Sequence, residues 1–254
     1  VFWNAGCSQK VLSRGKKSVF AQKGKKMSLY LLLMIFSFGS CLVLSFDRKV
    51  AFYKNIRFLA PAIIAVAIPF LIWDQIFTYY GVWGFNEDYL QGFYIGKLPI
   101  EEILFFFFIP YCCLFIYEVL IAYYPNASLH RLTMAFSIFL VLSGVLMALT
   151  HLNQWYTLSA CSLTVLIVMF VMKQKYIWYP RAIFAFMVVL IPFFVVNGVL
   201  TGSGLPEPVV WYNDTENFGL RLGTIPIEDT IYNLGMLLTV ALVGTHIQQR
   251  NLAK

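Results

Sequence analysis

Seven apolar runs alternate with short polar breaks along this chain: 28–46, 58–80, 99–124, 132–149, 155–172, 181–200 and 225–246. Runs of about 17–25 apolar residues are long enough to cross a bilayer as helices. Backbone groups in lipid must pair within their own segment, so the pattern predicts an all-α, multi-pass transmembrane bundle of about seven helices. The breaks are too short to hold a soluble domain. Polar residues interrupt the runs at a few places only. Asp74 stands inside the second run. "LPIEEILFFFF", from Leu98, opens the third, and "TIPIEDTIYNL", from Thr224, opens the seventh.

The two acidic steps belong to a longer likeness. Helix 2 ends "LIWDQIFTYYGVWGF" before an aromatic, Gly-containing loop and "GKLPIEEI"; helix 6 ends "FFVVNGVLTGSG" before "VVWYN" and "LGTIPIEDT". Helices 1–3 (residues 27–124) and 5–7 (residues 155–254) therefore read as two modules, with helix 4 (residues 125–154) as connector. An odd connector gives both modules the same orientation, as parallel repeats about an axis along the membrane normal. Asp74, Glu101, Glu102, Asn197, Glu228 and Asp229 then lie at similar depth near one face. Glu118 is about 25 Å further along helix 3, at 1.5 Å per residue, and cannot join them.

Composition supports the membrane reading: 60% of the 254 residues are hydrophobic, 18% aromatic and only 12% charged. The net charge of +7 suggests nucleic acid until it is located. Seven of the basic residues fall within the first 26, which hold no acid, and the remainder of the chain is balanced. That segment is a disordered basic tail, a targeting segment, or translated upstream sequence with Met27 as the start. The loops after helices 1, 3 and 5, with the C-terminus, carry ten Lys and Arg, whereas the opposite loops carry only Lys97 and Arg221. The positive-inside rule puts the first set in the cytoplasm and the acidic steps near the noncytoplasmic face of the cell membrane. The basic tail would break that rule, which favours Met27 as the start. The cysteines show no metal-ligand or redox spacing.

A proline followed by acids is also how an ordinary helix begins, since Pro suits the first turn and acids suit the positive end of the dipole. Two copies, each after a polar residue and an aromatic loop, argue for more. Asp74 in mid-helix is the least ordinary residue, because intramembrane acids usually face the interior and act there. Phe105 and Phe108 share a face with Glu101. Trp73, Tyr80 and Trp83 belong either to the same lining or to an interfacial aromatic belt. A buried carboxylic acid can donate a proton and a second carboxylate can accept one, while rings between them stabilise a cation. That set suits proton-initiated rearrangement of a lipid-soluble polyene.

The paired "PIEE" and "PIED" steps, the Asp74 and Asn197 partners, "NGVLTG" and the seven-helix plan resemble the membrane-integral lycopene cyclase family, whose members include two-subunit bacterial forms and fused forms. The resemblance runs from about Met27 to Gln249. It maps the family motifs onto Pro99, Glu101 and Glu102 and onto Pro226, Glu228 and Asp229. It implies lycopene β-cyclase activity: redox-neutral closure of the ψ ends of lycopene to β-ionone rings, with Glu101 or Glu228 as proton donor and another carboxylate, Asp74 included, as acceptor. Asn197, Phe105, Phe108, Trp73, Trp83 and Tyr80 would contact substrate. The implied partners are lycopene and other carotenoid lipids, the membrane, and other carotenoid-pathway enzymes, with no nucleic acid, no metal and no cofactor. A noncatalytic carotenoid-binding or transport protein is the alternative. A seven-helix retinal protein is disfavoured, since the last run holds no Schiff-base lysine.

Overall fold

The computed structural model of the chain describes residues 27–125 and 130–252. The expected basic tail, residues 1–26, lies outside them. Among the described residues there are seven α-helices: α1 (Leu29–Leu44), α2 (Ile56–Tyr80), α3 (Ile100–Tyr123), α4 (His130–Thr150), α5 (Trp155–Gln174), α6 (Tyr179–Leu200) and α7 (Ile227–Leu252). The ends follow local chemistry. Ser28 caps α1, its Oγ accepting from Leu31 N at 3.2 Å. Gly81 closes α2 in the left-handed region (φ 71°), which glycine reaches without steric cost, and Val82 N returns to Phe77 O. Pro99 provides the extended cap from which α3 starts.

Six of the helices are long and apolar enough to span a membrane. The exception is α1, at 16 residues. The apolar run that sets its expected length continues to Phe46, but the helix stops at Ser45, whose hydroxyl turns back to Leu42 O, and Asp47 then accepts from Lys49 N and Val50 N in a tight turn. The exposed outer faces are apolar. On α2, Ile64, Ile68, Ile72 and Ile76 form an uninterrupted exposed stripe at four-residue spacing. Prolines 61, 69, 110 and 192 all sit inside continuous helices.

Sequence reading left the connections before the acidic steps as loops; they contain short strands. β1 (Trp83–Phe85) pairs antiparallel with β4 (Val210–Tyr212), while β2 (Tyr94–Ile95) pairs with β3 (Leu98–Pro99), and β5 (Arg221–Leu222) with β6 (Ile225–Pro226). The two hairpins match residue for residue. Tyr94 pairs with Pro99 as Arg221 pairs with Pro226, and Ile100 N reaches Phe93 O as Ile227 N reaches Leu220 O. In the β1–β4 ladder Gly84 faces Trp211, the register that a local two-fold axis produces. The helices obey the same symmetry. α1 packs on α3 as α5 packs on α7, while α2 crosses to α7 and α6 crosses to α3. The repeats thus interlock, α3 and α7 meet at the centre, and α4 packs outside on α5 and α6.

Candidate active site

The two-fold arrangement brings the start of α3 against the start of α7, and the consequences for the two acidic pairs are the same. Glu101 and Glu228 are fully buried and turn toward the loops. Glu101 Oε1 accepts from Ser28 Oγ (2.8 Å) and Gln91 N (2.7 Å), and Glu228 Oε1 accepts from Thr157 Oγ1 (2.6 Å) and Phe218 N (2.6 Å). Each therefore ties a loop backbone to the first turn of its repeat's first helix. The next residues turn the other way. Glu102 Oε2 accepts from Tyr30 OH (2.6 Å), and Asp229 Oδ1 accepts from Tyr156 OH (2.5 Å). A hydroxyl residue and a tyrosine at the start of α1 and α5 thus hold the two acids of each step.

Glu102 and Asp229 line one central cavity of about 60 Å³. Asp74, from mid-α2, joins them with Trp83 Nε1 donating to its Oδ1 at 2.5 Å, while its Oδ2 has no hydrogen-bond partner. Asp229 is the best supplied of the three, since its Oδ2 also accepts from Asn197 Nδ2 (2.7 Å) and Tyr212 OH (2.9 Å). Tyr212 lies on β4, outside the helices; burial, reinforced by the neighbouring Asp229 charge, pushes its hydroxyl well above the usual tyrosine range, so it remains a donor. At the rim Asp214 falls below the usual carboxylate range, held first by Asn217 and then by Arg221 at 2.5 Å. No basic side chain lines the cavity. Among the described residues no three His, Cys, Asp or Glu side chains converge closely enough to hold a metal ion.

Most of the remaining wall is aromatic, with Phe85, Phe105, Phe106, Phe193 and Tyr232 joined by Leu200, Val210 and Met236. Of the residues expected from sequence, Asp74, Trp83, Glu102, Phe105, Asn197 and Asp229 meet here, and Glu101, Glu228, Trp73, Tyr80 and Phe108 do not. Phe108 stacks on Phe38 at 4.1 Å, Trp73 packs on Tyr232 from behind the wall, and Tyr80 lies exposed against Trp155. The hairpin turns Glu101 to the Gln91 backbone amide and leaves Glu102 as the member of the pair that faces the cavity. Nor are Asp74 and Asn197 strict positional equivalents. In the matching turns Val82 N bonds Phe77 O and Ser203 N bonds Gly198 O; Asp74 precedes Phe77 by a full turn, whereas Asn197 is next to Gly198. Pro99 and Pro226 hold matching places at the helix mouths. Sequence reasoning missed Tyr30, Tyr156, Tyr212 and Asn233, although hydroxyl-bearing pairs at the start of α1 and α5 were a visible repeat.

Fold and site together define a class: a multi-pass helical membrane protein with several carboxyl groups buried in an aromatic, hydrocarbon-lined cavity. The sequence model of the family described as lycopene cyclase matches the chain twice, over residues 27–120 and 153–247, one match for each repeat. The chain belongs to the lycopene cyclase family, a family of carotenoid cyclases. No curated protein and no solved structure matches it.

Proposed function

We propose that this protein is a lycopene β-cyclase, closing linear ψ ends of lycopene to β-ionone rings by proton transfer from and to the central carboxyl groups. The observation that carries the reading is the meeting of Asp74, Glu102 and Asp229 around one aromatic cavity without a counter-cation. Three buried carboxyl groups cannot all be anions at low cost, so the cavity keeps protons for delivery. Asp74 and Glu102 each receive one hydrogen bond and serve as donor candidates; Asp229, held by three donors, serves as acceptor. A proton adds to the terminal double bond, the resulting tertiary cation is attacked by the neighbouring double bond to close the ring, and a ring proton leaves to a carboxylate. Rings of Phe105, Phe106 and Trp83 stabilise the cation between those steps. One proton enters and one leaves, so the oxidation level is unchanged and the reading needs no redox cofactor.

The test is conversion of lycopene by Glu102→Gln, Asp229→Asn and Asp74→Asn, measured as carotenoid products per folded protein. Loss of general acid–base catalysis typically costs about 10²–10⁴ in rate. We expect a loss of that order at Glu102 and Asp229 and a partial to severe loss at Asp74. Wild-type conversion by all three would sink the reading and favour a noncatalytic carotenoid-binding protein.

A further inference from the structure

A second cavity of about 310 Å³ lies beside the first, between α1, α3 and α6. α3 forms its floor, with α1 and α6 both packed on α3 as its walls. Ile109, Ile116, Val189 and Val196 give it an apolar surface, and no charged side chain lines it. It opens sideways, where Phe36 and Val195 at its rim are 75% and 66% exposed on the lipid-facing side. Phe105, Phe193, Asn197 and Asn233 line both cavities and so form their junction. Asn233 is 4% exposed, yet neither atom of its amide has a hydrogen-bond partner. Buried amides are rarely left in that state, and this one faces both spaces.

The matching side of the other repeat is where α5 and α2 both pack on α7. Trp73 and Phe77 from α2 pack together, Phe77 meets Trp155 of α5, and Trp73 meets Tyr232 of α7. The two-fold is broken here: Trp73 packs on Tyr232 between α2 and α7, and on the other side a chamber lies between α6, α1 and α3.

We propose that the open chamber holds the linear polyene arm of the substrate while its end reaches the carboxyl cavity past Asn233, and that the substrate enters from this side, so the protein works on one end at a time. The proposal rests on the cyclase reading and adds where the substrate lies. Size supports it. An apolar cavity of about 150 Å³ takes one benzene-sized ring. The central cavity, at about 60 Å³, takes only the tip of the cyclising end, so the remainder of that end and the chain behind it extend through the junction into the chamber, which has room for them. The four residues it shares with the carboxyl cavity favour the substrate's own arm over an unrelated lipid.

The experiment uses the purified full chain in lipid nanodiscs. Val196→Trp and Ser37→Trp fill the chamber from opposite walls, and Leu166→Trp, on the exposed face of α5, is the control. Binding and conversion are measured for lycopene and for a short linear terpenoid with the same end and no long arm. We expect both chamber variants to weaken lycopene binding by about tenfold or more, with little change for the short analogue and none in the control. Glu102→Gln is the separating arm: it should bind lycopene normally while failing to convert it. Should Val196→Trp not fold, Ser37→Trp at the partly exposed rim decides. Unchanged lycopene binding in a folded chamber variant overturns the proposal, as does equal weakening of both ligands. A copurifying phospholipid that lycopene fails to displace from the chamber overturns it too. If Glu102→Gln converts lycopene normally the assignment of Glu102 as a proton donor falls, and the chamber is still judged by the binding measurements.

Discussion

Glu228 and Asp229 are adjacent in sequence and sit in different surroundings. Consecutive residues in the first turn of a helix point about 100° apart, so one can serve a loop and the other a cavity. Glu228 satisfies the Phe218 amide and the Thr157 hydroxyl, both away from the central cavity. Removing it orphans buried donors, each costing about 1–3 kcal/mol. Glu228→Ala should therefore lower the midpoint of a thermal melt in detergent by several degrees, while conversion per folded molecule stays within a few fold of wild type. An unchanged melt with abolished conversion would make Glu228 a participant in proton transfer instead. Asp229→Asn should do the reverse, with a small change in stability and a large one in rate.

Helix contacts depend on small residues where the backbones approach. On α7, a Cβ at Gly235 would stand 2.5 Å from Thr164 Oγ1 of α5, which itself donates to Ile231 O at 2.9 Å. The α5–α7 packing that carries Tyr156 to Asp229 needs this closeness. Gly235→Ala should cost about 1–3 kcal/mol by overpacking. In a Thr164→Ala background most of that cost should vanish, because the clashing oxygen is gone, and a double-mutant cycle of melting free energies measures the coupling. Between the repeats, the Trp211 ring lies against Gly84, so any larger residue there must displace that ring.

The whole molecule is two interlocked halves. α2 packs on α7 and α6 on α3, so each half loses major helix contacts when separated, and the carboxyl cavity draws walls from both. Chains 1–127 and 128–254 expressed alone should convert no lycopene; expressed together, they should regain conversion by reassembly across the α3–α7 centre. Activity in one half alone would show that a single repeat makes a complete site. We propose an orientation from charge: with the acidic steps gathered at one end, the positive-inside rule predicts that end on the noncytoplasmic side. Lys97→Cys and Arg221→Cys should react with a membrane-impermeant thiol reagent added outside intact cells; reaction only after the cytoplasmic side is opened would invert the topology.

Hydrophobic patterning alone determined the helix number and nearly every helix span, because run length is dictated by bilayer thickness and needs no knowledge of neighbours. The repeat was legible as well, from two Pro-x-Glu steps, and with it the carboxyl groups at one depth. The hairpins were not, since strands of two or three residues leave no periodicity to read. Which acid of each pair faces the cavity was equally beyond the sequence: Glu101 and Glu102 look interchangeable until the hairpin fixes the rotation of α3 and the Gln91 amide claims one of them. Tyr30, Tyr156, Tyr212 and Asn233 entered the site only because α1, α5, β4 and α7 converge there from distant places in the chain. Tertiary packing also broke the two-fold, setting Trp73 against Tyr232 on one side and leaving a chamber on the other, a difference that arises at interfaces between helices and that no single helix records.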